Sequence, residues 1–305
     1  MSPGHEHGSG MRAGARHVGR LRFAFLITLA FMAVEVVAAF LTGSLALLSD
    51  AAEMLTDAVG IGMAVAAISL ASRAARRPSD SSRTFGLYRL EILAALANAV
   101  LLLGVAGYLL VEAGRRLGDE PDVDAGPMLV VGGAGLAVNV LVFLLLRAGA
   151  RESLNVEGAY LDAVTDMLAS VGVIAAGVIV ATTGWAYADP IAAAAIGLWV
   201  LPRAWSLARR SVRVLIQAAP AHLDVARLQA DLAGLPGVVD VHDLHVWTLT
   251  SEMDVASAHL VTTAGTDMHG VLDRARDVLR VEYAITHATL QVEPDDHEGC
   301  AEVNW

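Results

Sequence analysis

Lysine is absent from this sequence of 305 residues, and cysteine occurs once, as Cys300. A lone cysteine excludes a disulfide framework within the chain, and it excludes a metal site built from several thiolates. All strong cations are arginines, and the formal net charge is −11. Nucleic acids are bound through basic surfaces, so this charge balance argues against a nucleic-acid partner.

Apolar residues are in excess. The chain is 55% hydrophobic, whereas soluble domains average about 45–50%. The excess lies almost entirely within residues 21–213. A helix needs about 20 apolar residues to cross a lipid bilayer. The sequence therefore predicts an α-helical membrane protein with six transmembrane helices, at roughly 21–41, 45–72, 88–113, 127–147, 156–182 and 185–205.

The last third of the chain has the composition of a soluble domain, with periodicities in the order α–β–β–α–β. Helices are predicted at 222–234 and 268–280, and strands at 239–250, 253–263 and 287–292. A sheet covered by two helices is a common small α+β unit. We predict four parts: a disordered N-terminal tail (1–20), a six-helix transmembrane domain (21–211), a cytosolic α+β domain (212–294) and a flexible tail (295–305).

Arginine is distributed unevenly between the loops. The N-terminus and the segments after predicted helices two, four and six are rich in arginine, whereas the alternate loops are poor in it. Arg115 and Arg116, after the third helix, are an exception. Because cytoplasmic loops carry the excess of positive charge, the pattern predicts a multi-pass protein of the cell membrane with both termini in the cytoplasm.

Paired carboxylates lie at bilayer depth in two of the predicted helices. Glu53 and Asp57 are four residues apart in the second helix, and Asp162 and Asp166 are four apart in the fifth. Residues i and i+4 share a helix face, and acids inside a membrane are costly enough to indicate function. Two such faces packed together place four carboxylates around one point, which a divalent cation would stabilise. The pattern predicts a metal transport site.

Four carboxylates cannot all stay ionised in a low-dielectric site, because like charges repel and burial disfavours charge. Without metal they must share protons as a coupled set, and a divalent cation reverses that balance. Metal arrival therefore expels protons, and returning protons help to expel metal. This exchange predicts a metal/proton antiporter.

Other polar residues lie within the apolar windows. Asp50 lies about one turn before the first acidic pair, on the same helix face. Its position is equally compatible with a helix-capping role and with a role at the entrance of the metal path. Glu35, near the middle of the first helix, should face the bundle interior as a proton site or an ion-path residue. Asn98 and Asn139 are interpreted as hydrogen-bonding residues between helices.

Five stretches, in this order, resemble the cation diffusion facilitator family, nearest its bacterial zinc, cadmium and cobalt efflux branch. They are GSLALLSDAAEMLTDA, RTFGLYRLEILAALANAVLLL, SLNVEGAYLDAVTDMLASVGVI, GWAYADPIAAAAIGLWVL and VHDLHVWTLTSEMDVASAHLV. The resemblance implies six helices, cytoplasmic termini, a ferredoxin-like cytosolic domain and a homodimer that exports divalent metal against protons. It implies a transporter rather than an enzyme, with no cofactor besides the metal.

The resemblance also locates the transport ligands, with departures. Asp57 and Asp166 match the zinc branch, but Glu53 stands where histidine or aspartate is expected and Asp162 stands where histidine is expected. Imidazole suits zinc, while an oxygen-only site suits manganese, although carboxylates also bind zinc. We expect zinc slightly ahead of manganese, iron or cobalt.

In the cytosolic domain, the resemblance places ligands of a further metal site at His242, His259 and His287, with Thr289 where the family has an acid. Simple strand alternation puts His242 and His245 on opposite faces of the sheet. Structural or solvated histidines are the alternative interpretation of this group.

Two other classes of protein are open. A non-transporting membrane protein for metal sensing or assembly could use the same fold, and efflux-dependent metal tolerance would separate the two. An intramembrane aspartyl protease also pairs acids on two helices, but it needs a Gly-x-Gly-Asp context. Here Asp57 follows Leu-Thr and Asp166 follows Val-Thr, so the protease is the more distant alternative.

Overall fold

The computed structural model describes residues 9–56, 58–59, 85, 89–118, 121–147, 154–250 and 253–295, with the backbone alone for 9–22, 154–159 and 161–162. The chain folds as two compact units. The first combines Met1–Met63 with Ala97–Leu207, and the second combines Ala64–Leu96 with Ala208–Trp305. The second unit thus contains the predicted cytosolic domain together with the segment that leads into the third long helix.

Long helices form the first unit, and two of them extend into the second. They are α1 (Ser9–Thr42), α2 (45–56 and 58–59), α3 (Arg89–Arg116), α4 (Ala125–Leu146), α5 (Leu154–Thr183) and α6 (Ala188–Leu215). Among the described residues, five helices are long and apolar enough to span a membrane: all of these except α2. The predicted span 45–72 begins with α2, and its residues 57 and 60–72 lie outside the described part.

Helix α1 begins earlier than the sequence predicts. It starts at Ser9, so the expectation of a disordered tail over 1–20 is wrong for residues 9–20; residues 1–8 lie outside the described part. The stretch contains no proline, and its alanine, arginine and methionine residues are good helix formers. Because the apolar helix that follows supplies the nucleus, extending it backwards requires no new nucleation.

Glycines allow α1, α4 and α5 to pack closely. A Cβ atom on Gly132 of α4 would lie 3.1 Å from Val173 Cγ1 of α5, and one on Gly135 would lie 3.0 Å from Phe31 Cε1 of α1. Small residues at helix contacts are the usual way to bring transmembrane backbones together. These contacts place the polar side chains of the three helices within reach of one another.

The turn between α1 and α2 is held from the end of α3. Gly43 adopts φ +67°, and a Cβ there would lie 2.8 Å from the carbonyl oxygen of Asp122, so glycine alone fits without strain. Arg116 donates to the carbonyl oxygen of Gly43 at 2.5 Å and forms an ion pair of 3.3 Å with Glu112. These contacts give Arg116, in the last turn of α3, a structural role, which accounts for one of the two arginines that depart from the charge pattern.

Large apolar side chains cover the outside of these helices. Phe40, Leu41 and Trp199 are 74%, 82% and 66% exposed. Soluble monomers rarely carry such extended apolar surfaces. Lipid is the solvent that suits them, in agreement with the predicted membrane domain.

The second unit contains a three-stranded sheet with two helices, in the predicted order α–β–β–α–β. Its elements are α7 (Val225–Ala233), β1 (Val238–Thr250), β2 (Met253–Thr262), α8 (Met268–Val281) and β3 (His287–Pro294). The strand order is β1-β2-β3, with β1 antiparallel and β3 parallel to β2. The core, which includes Leu228, Leu260 and Leu279, lies between sheet and helices. The predicted fold class is confirmed.

A bulge in β1 changes which side chains share a face. His242 pairs with His259, and His245 pairs with Ser257. The two pairs are therefore three residues apart on β1 but only two residues apart on β2. Asp243 absorbs the extra residue with φ 48°, as residues in bulges do. Because residues 257 and 259 lie on one face of β2, His242 and His245 share that face. The prediction of opposite faces, which assumed a regular strand, is wrong.

The first turn of α3 belongs to the second unit and contacts its sheet. Thr250, at the end of β1, donates from its hydroxyl to Glu91 Oε2 at 2.5 Å. The rings of Phe85 and His287 form an edge-to-face contact with centroids 6.4 Å apart. Both contacts hold this segment against the sheet.

Candidate metal sites

Helices α2 and α5 meet one turn away from their acidic pairs. The Ser170 hydroxyl donates to Asp50 Oδ2 at 3.3 Å. Ser170 follows Asp166 by one turn and Asp50 precedes Glu53 by nearly one turn, so this contact turns the two acidic faces toward each other. Glu53 and Asp166 are buried, with 4% and 5% of their surfaces exposed.

The other two predicted transport ligands cannot be placed in the same way. Asp57 lies outside the described residues. Asp162 belongs to α5, but only its backbone is described. The structure therefore brings together the helices that carry the four acids and describes two of the acids as buried. The four-carboxylate site itself stays a prediction.

A further polar group lies one turn from these acids. Glu35 and Asp50 are fully buried, and their carboxyl groups are close neighbours. Asn139 donates to the Ser170 hydroxyl at 3.3 Å, which in turn donates to Asp50. Asn139 thus acts between helices, as expected, and the chain of contacts joins α1, α2, α4 and α5.

The segment of α2 around Glu53 is braced from α3. The Asn98 amide donates to the carbonyl oxygen of Thr56 at 3.1 Å, and the Thr56 hydroxyl donates to the carbonyl oxygen of Glu53 at 2.6 Å. The interhelical role predicted for Asn98 is confirmed. Glu53 also borders a small pocket with Ser49 of α2 and Gly197 of α6.

Asp189, at the start of α6, caps α2 from a different helix. Its carboxylate accepts the backbone N–H groups of Leu45 at 2.7 Å and Ala46 at 3.2 Å, and it is fully buried. These are donors that an α-helix leaves unpaired at its N-terminus. Sequence reasoning missed this residue; the available signal was an acid directly before Pro190 in an apolar segment.

The cytosolic sheet brings together two histidines and one acid. His259 Nδ1 lies 2.8 Å from Glu293 Oε1, and His242 Nε2 lies 3.7 Å from the same oxygen. One ligand atom from each of these three residues lies within 4.8 Å of the others. Cross-strand pairing sets His242 beside His259. Glu293 on β3 pairs with Val261, which lies two residues after His259 on β2, so its side chain reaches the two histidines diagonally.

His287 is not part of this cluster. It pairs with Val255, four residues before His259 on β2, which corresponds to about 13 Å along the strand. The prediction that His287 is the third ligand is therefore wrong in this structure, and Glu293 occupies the corresponding place. The parallel pairing of β2 and β3 brings the end of β3, rather than its beginning, to the two histidines.

The three side chains suit a metal ion such as zinc. Two imidazoles and a carboxylate are common zinc ligands, and three protein ligands leave one tetrahedral position open. His242 Nε2 is buried and has no hydrogen-bond partner among the described residues, as a nitrogen reserved for a metal would be.

Comparison with known proteins agrees with both units. The family model for the cation efflux transmembrane domain matches residues 21–216, and that for the cation efflux protein cytoplasmic domain matches residues 220–295. The chain therefore belongs to the cation efflux family, whose members are membrane transporters and not enzymes.

Several proteins named as transporters are similar over almost the whole chain. The metal cation efflux system protein CzcD of Cupriavidus metallidurans is 44% identical over 297 residues, covering 96% of this chain and 90% of that protein. The zinc transporter ZitB of Escherichia coli is 39% identical, covering 97% and 96%. The cadmium, cobalt and zinc/H(+)-K(+) antiporter of Bacillus subtilis is 34% identical, covering 96% and 93%.

Proposed function

We propose that this protein exports a divalent metal cation from the cytoplasm in exchange for protons, with Glu53, Asp57, Asp162 and Asp166 as the transport ligands. The observation that carries the proposal is the burial of Glu53 and Asp166 on helices in contact. Buried acids on apolar helices are costly unless they bind a cation or a proton. The names of the similar proteins, all cation or zinc transporters, support the same function.

Proton exchange follows from the charge of the site. A divalent cation stabilises the ionised carboxylates, whereas an empty site must take up protons because its charges repel one another. The two occupants therefore compete for the same oxygens. An inward proton gradient would load the emptied site with protons and favour its return for another metal ion.

Zinc is the metal we propose first. Two of the similar proteins are named for zinc, and carboxylates bind zinc at about 2.0–2.2 Å. An oxygen-only ligand set also admits cobalt, iron and manganese, and it suits the softer cadmium ion less well. The missing histidines therefore make the site less selective for zinc than a site with imidazole ligands.

We propose the cell membrane as the location, with both termini in the cytoplasm, on the arginine distribution between loops. The α+β domain would then be cytosolic and would join two copies of the chain as a homodimer. His242, His259 and Glu293 would hold a regulatory zinc ion there. Metal bound at this cluster would neutralise Glu293 and reduce repulsion between facing acidic domains.

Metal transport by the purified chain in proteoliposomes tests the proposal. Zinc, cobalt, iron and manganese are offered separately, and accumulation is followed for the unmodified chain and for Glu53→Gln and Asp166→Asn. Both variants should lose at least nine-tenths of the rate. Asp277→Asn makes the same chemical change at an exposed site in α8 and should transport normally. Normal transport by both buried-acid variants would refute the assigned site.

A further inference from the structure

We propose that Glu35 of α1 and Asp50 of α2, together with the Ser170 hydroxyl of α5, form a second divalent-cation site through which the metal leaves the transport ligands. The inference rests on the proposed function. We call these three residues the upper site; it contains two carboxylates from different helices and a hydroxyl from a third. Oxygen ligands of this kind suit hard and borderline divalent cations.

The state of Glu35 points to a ligand rather than to a structural role. The residue is fully buried, and neither of its carboxylate oxygens has a hydrogen-bond partner among the described residues. Asp50 is also fully buried, and its Oδ1 atom has no partner there. A buried carboxylate that lacks donors loses several kcal/mol of solvation. The carboxyl group of Asp50 lies close to that of Glu35, and a cation would bridge the two.

The position of the upper site follows from helix geometry. At about 1.5 Å per residue, Asp50 lies about 8 Å from the beginning of α2, whereas Glu53 lies about 12 Å from it. On α5, Ser170 lies about 6 Å beyond Asp166, toward the end of that helix. Asp50 is displaced from Glu53, and Ser170 from Asp166, toward the same side of the helix bundle. In the proposed orientation this is the outer side of the membrane.

This placement gives the upper site a part in release. Two divalent ions only about 5–6 Å apart repel strongly, so the two sites would be occupied in turn or with very different affinities. An ion that leaves the transport ligands as they take up protons would find other carboxylates one turn away. Sites of moderate affinity in sequence allow an ion to leave a deep site quickly.

Zinc binding to the full-length chain in lipid nanodiscs tests this inference. His242→Ala and His259→Ala together provide a background without the cytosolic cluster. Equilibrium binding of radioactive zinc to this background should show two ions per chain, one bound at least tenfold more weakly. Glu35→Gln and Asp50→Asn should each remove the weaker ion and leave the affinity of the tighter ion within about twofold. Ser170→Ala, a milder change, should weaken the second ion at least threefold.

Transport kinetics give an independent reading with the same variants. Glu35→Gln should lower kcat for zinc at least tenfold while KM stays within about threefold, because release and not capture is affected. Glutamine keeps the shape and hydrogen-bonding capacity of a protonated glutamate. Full activity of Glu35→Gln, one bound ion in the background chain, or retention of both ions by the variants would each overturn the upper site.

Failure of the upper site can be told apart from failure of the transport site. Asp166→Asn should remove the tighter zinc ion, whereas the upper-site variants should not. If the unmodified chain neither bound nor moved zinc or another divalent metal, the proposed function would fall and the upper site with it. If transport persisted with one ion bound per chain, only the upper site would fall.

Discussion

Asp189 accepts a hydrogen bond of 2.5 Å from the hydroxyl of Ser44, which lies 145 residues earlier in the chain. The same carboxylate also accepts the first backbone N–H groups of α2. Ser44 is the N-cap of α2, since its hydroxyl oxygen accepts the backbone N–H of Leu47 at 3.1 Å. The carboxylate from α6 satisfies two further donors of the same turn. These hydrogen bonds fix the position of α2, which carries Glu53, along the axis of α6.

Removing this cap should destabilise the membrane domain. Asp189→Ala leaves buried donors unpaired, and we expect a loss of roughly 3 kcal/mol in the free energy of unfolding. Thermal unfolding in detergent measures it, as a lowered Tm. Asp189→Asn keeps one acceptor oxygen and should lose clearly less. An alanine variant that melts like the unmodified protein would show that the cap contributes no stability.

Metal selectivity should respond to histidines at two transport positions. Replacing Glu53 and Asp162 together by histidine gives each helix a nitrogen ligand, which favours zinc over manganese. We expect the ratio of zinc to manganese transport to rise at least tenfold. Competition between the two metals in proteoliposomes measures this ratio directly. An unchanged ratio would mean that these two residues do not contact the metal.

Zinc should stabilise the cytosolic domain through the cluster of His242, His259 and Glu293. At a free zinc concentration 100 times the Kd, binding adds about 2.7 kcal/mol, visible as a raised Tm of the full-length protein. His259→Ala and Glu293→Gln should abolish the shift.

His287→Ala is the matched control for that measurement, because it removes a histidine from the same sheet without touching the cluster. It should retain the zinc-dependent rise in Tm. Loss of the rise in His287→Ala, with retention in Glu293→Gln, would restore the histidine predicted from the resemblance and exclude the acid.

Helix packing can be tested with two neighbouring glycines in α4. Gly132 faces Val173 of α5, whose branched and fully buried side chain has little room to move. Gly132→Ala should therefore cost about 1–3 kcal/mol. Apart from its chain neighbours and the nearby backbone of α4, no described residue has an atom within 4 Å of a Cβ built on Gly133. Gly133→Ala should therefore be neutral or stabilise the helix by up to about 1 kcal/mol. Equal Tm values for the two variants would contradict the close α4–α5 contact.

Much of the fold was predictable from the sequence because its signals are local. Apolar windows indicated the long helices, and changes in periodicity indicated the five elements of the cytosolic domain. Each of those elements begins and ends within three residues of its predicted bounds. The amide side chains were also interpreted correctly, since a buried asparagine in an apolar helix has few partners besides another helix.

The errors concern contacts that local patterns do not contain. Asp243 has no sequence feature that marks it as a bulge, and strand alternation fails as soon as one residue is inserted. Glu293 replaces His287 because strand register, rather than residue type, decides which side chains meet. The cap formed by Asp189 depends on the packing of α6 beside α2, which the order of helices does not specify.

The central claim is exchange of a divalent metal for protons at buried carboxylates. It is tested most directly by measuring zinc flux and internal pH together in proteoliposomes that contain the unmodified chain. Zinc entering the vesicles should be accompanied by proton exit, and an imposed pH gradient with its acidic side inside should accelerate zinc uptake. Asp57→Asn should lose both fluxes. Zinc flux without an opposing proton flux and without any dependence on the pH gradient would contradict the claim.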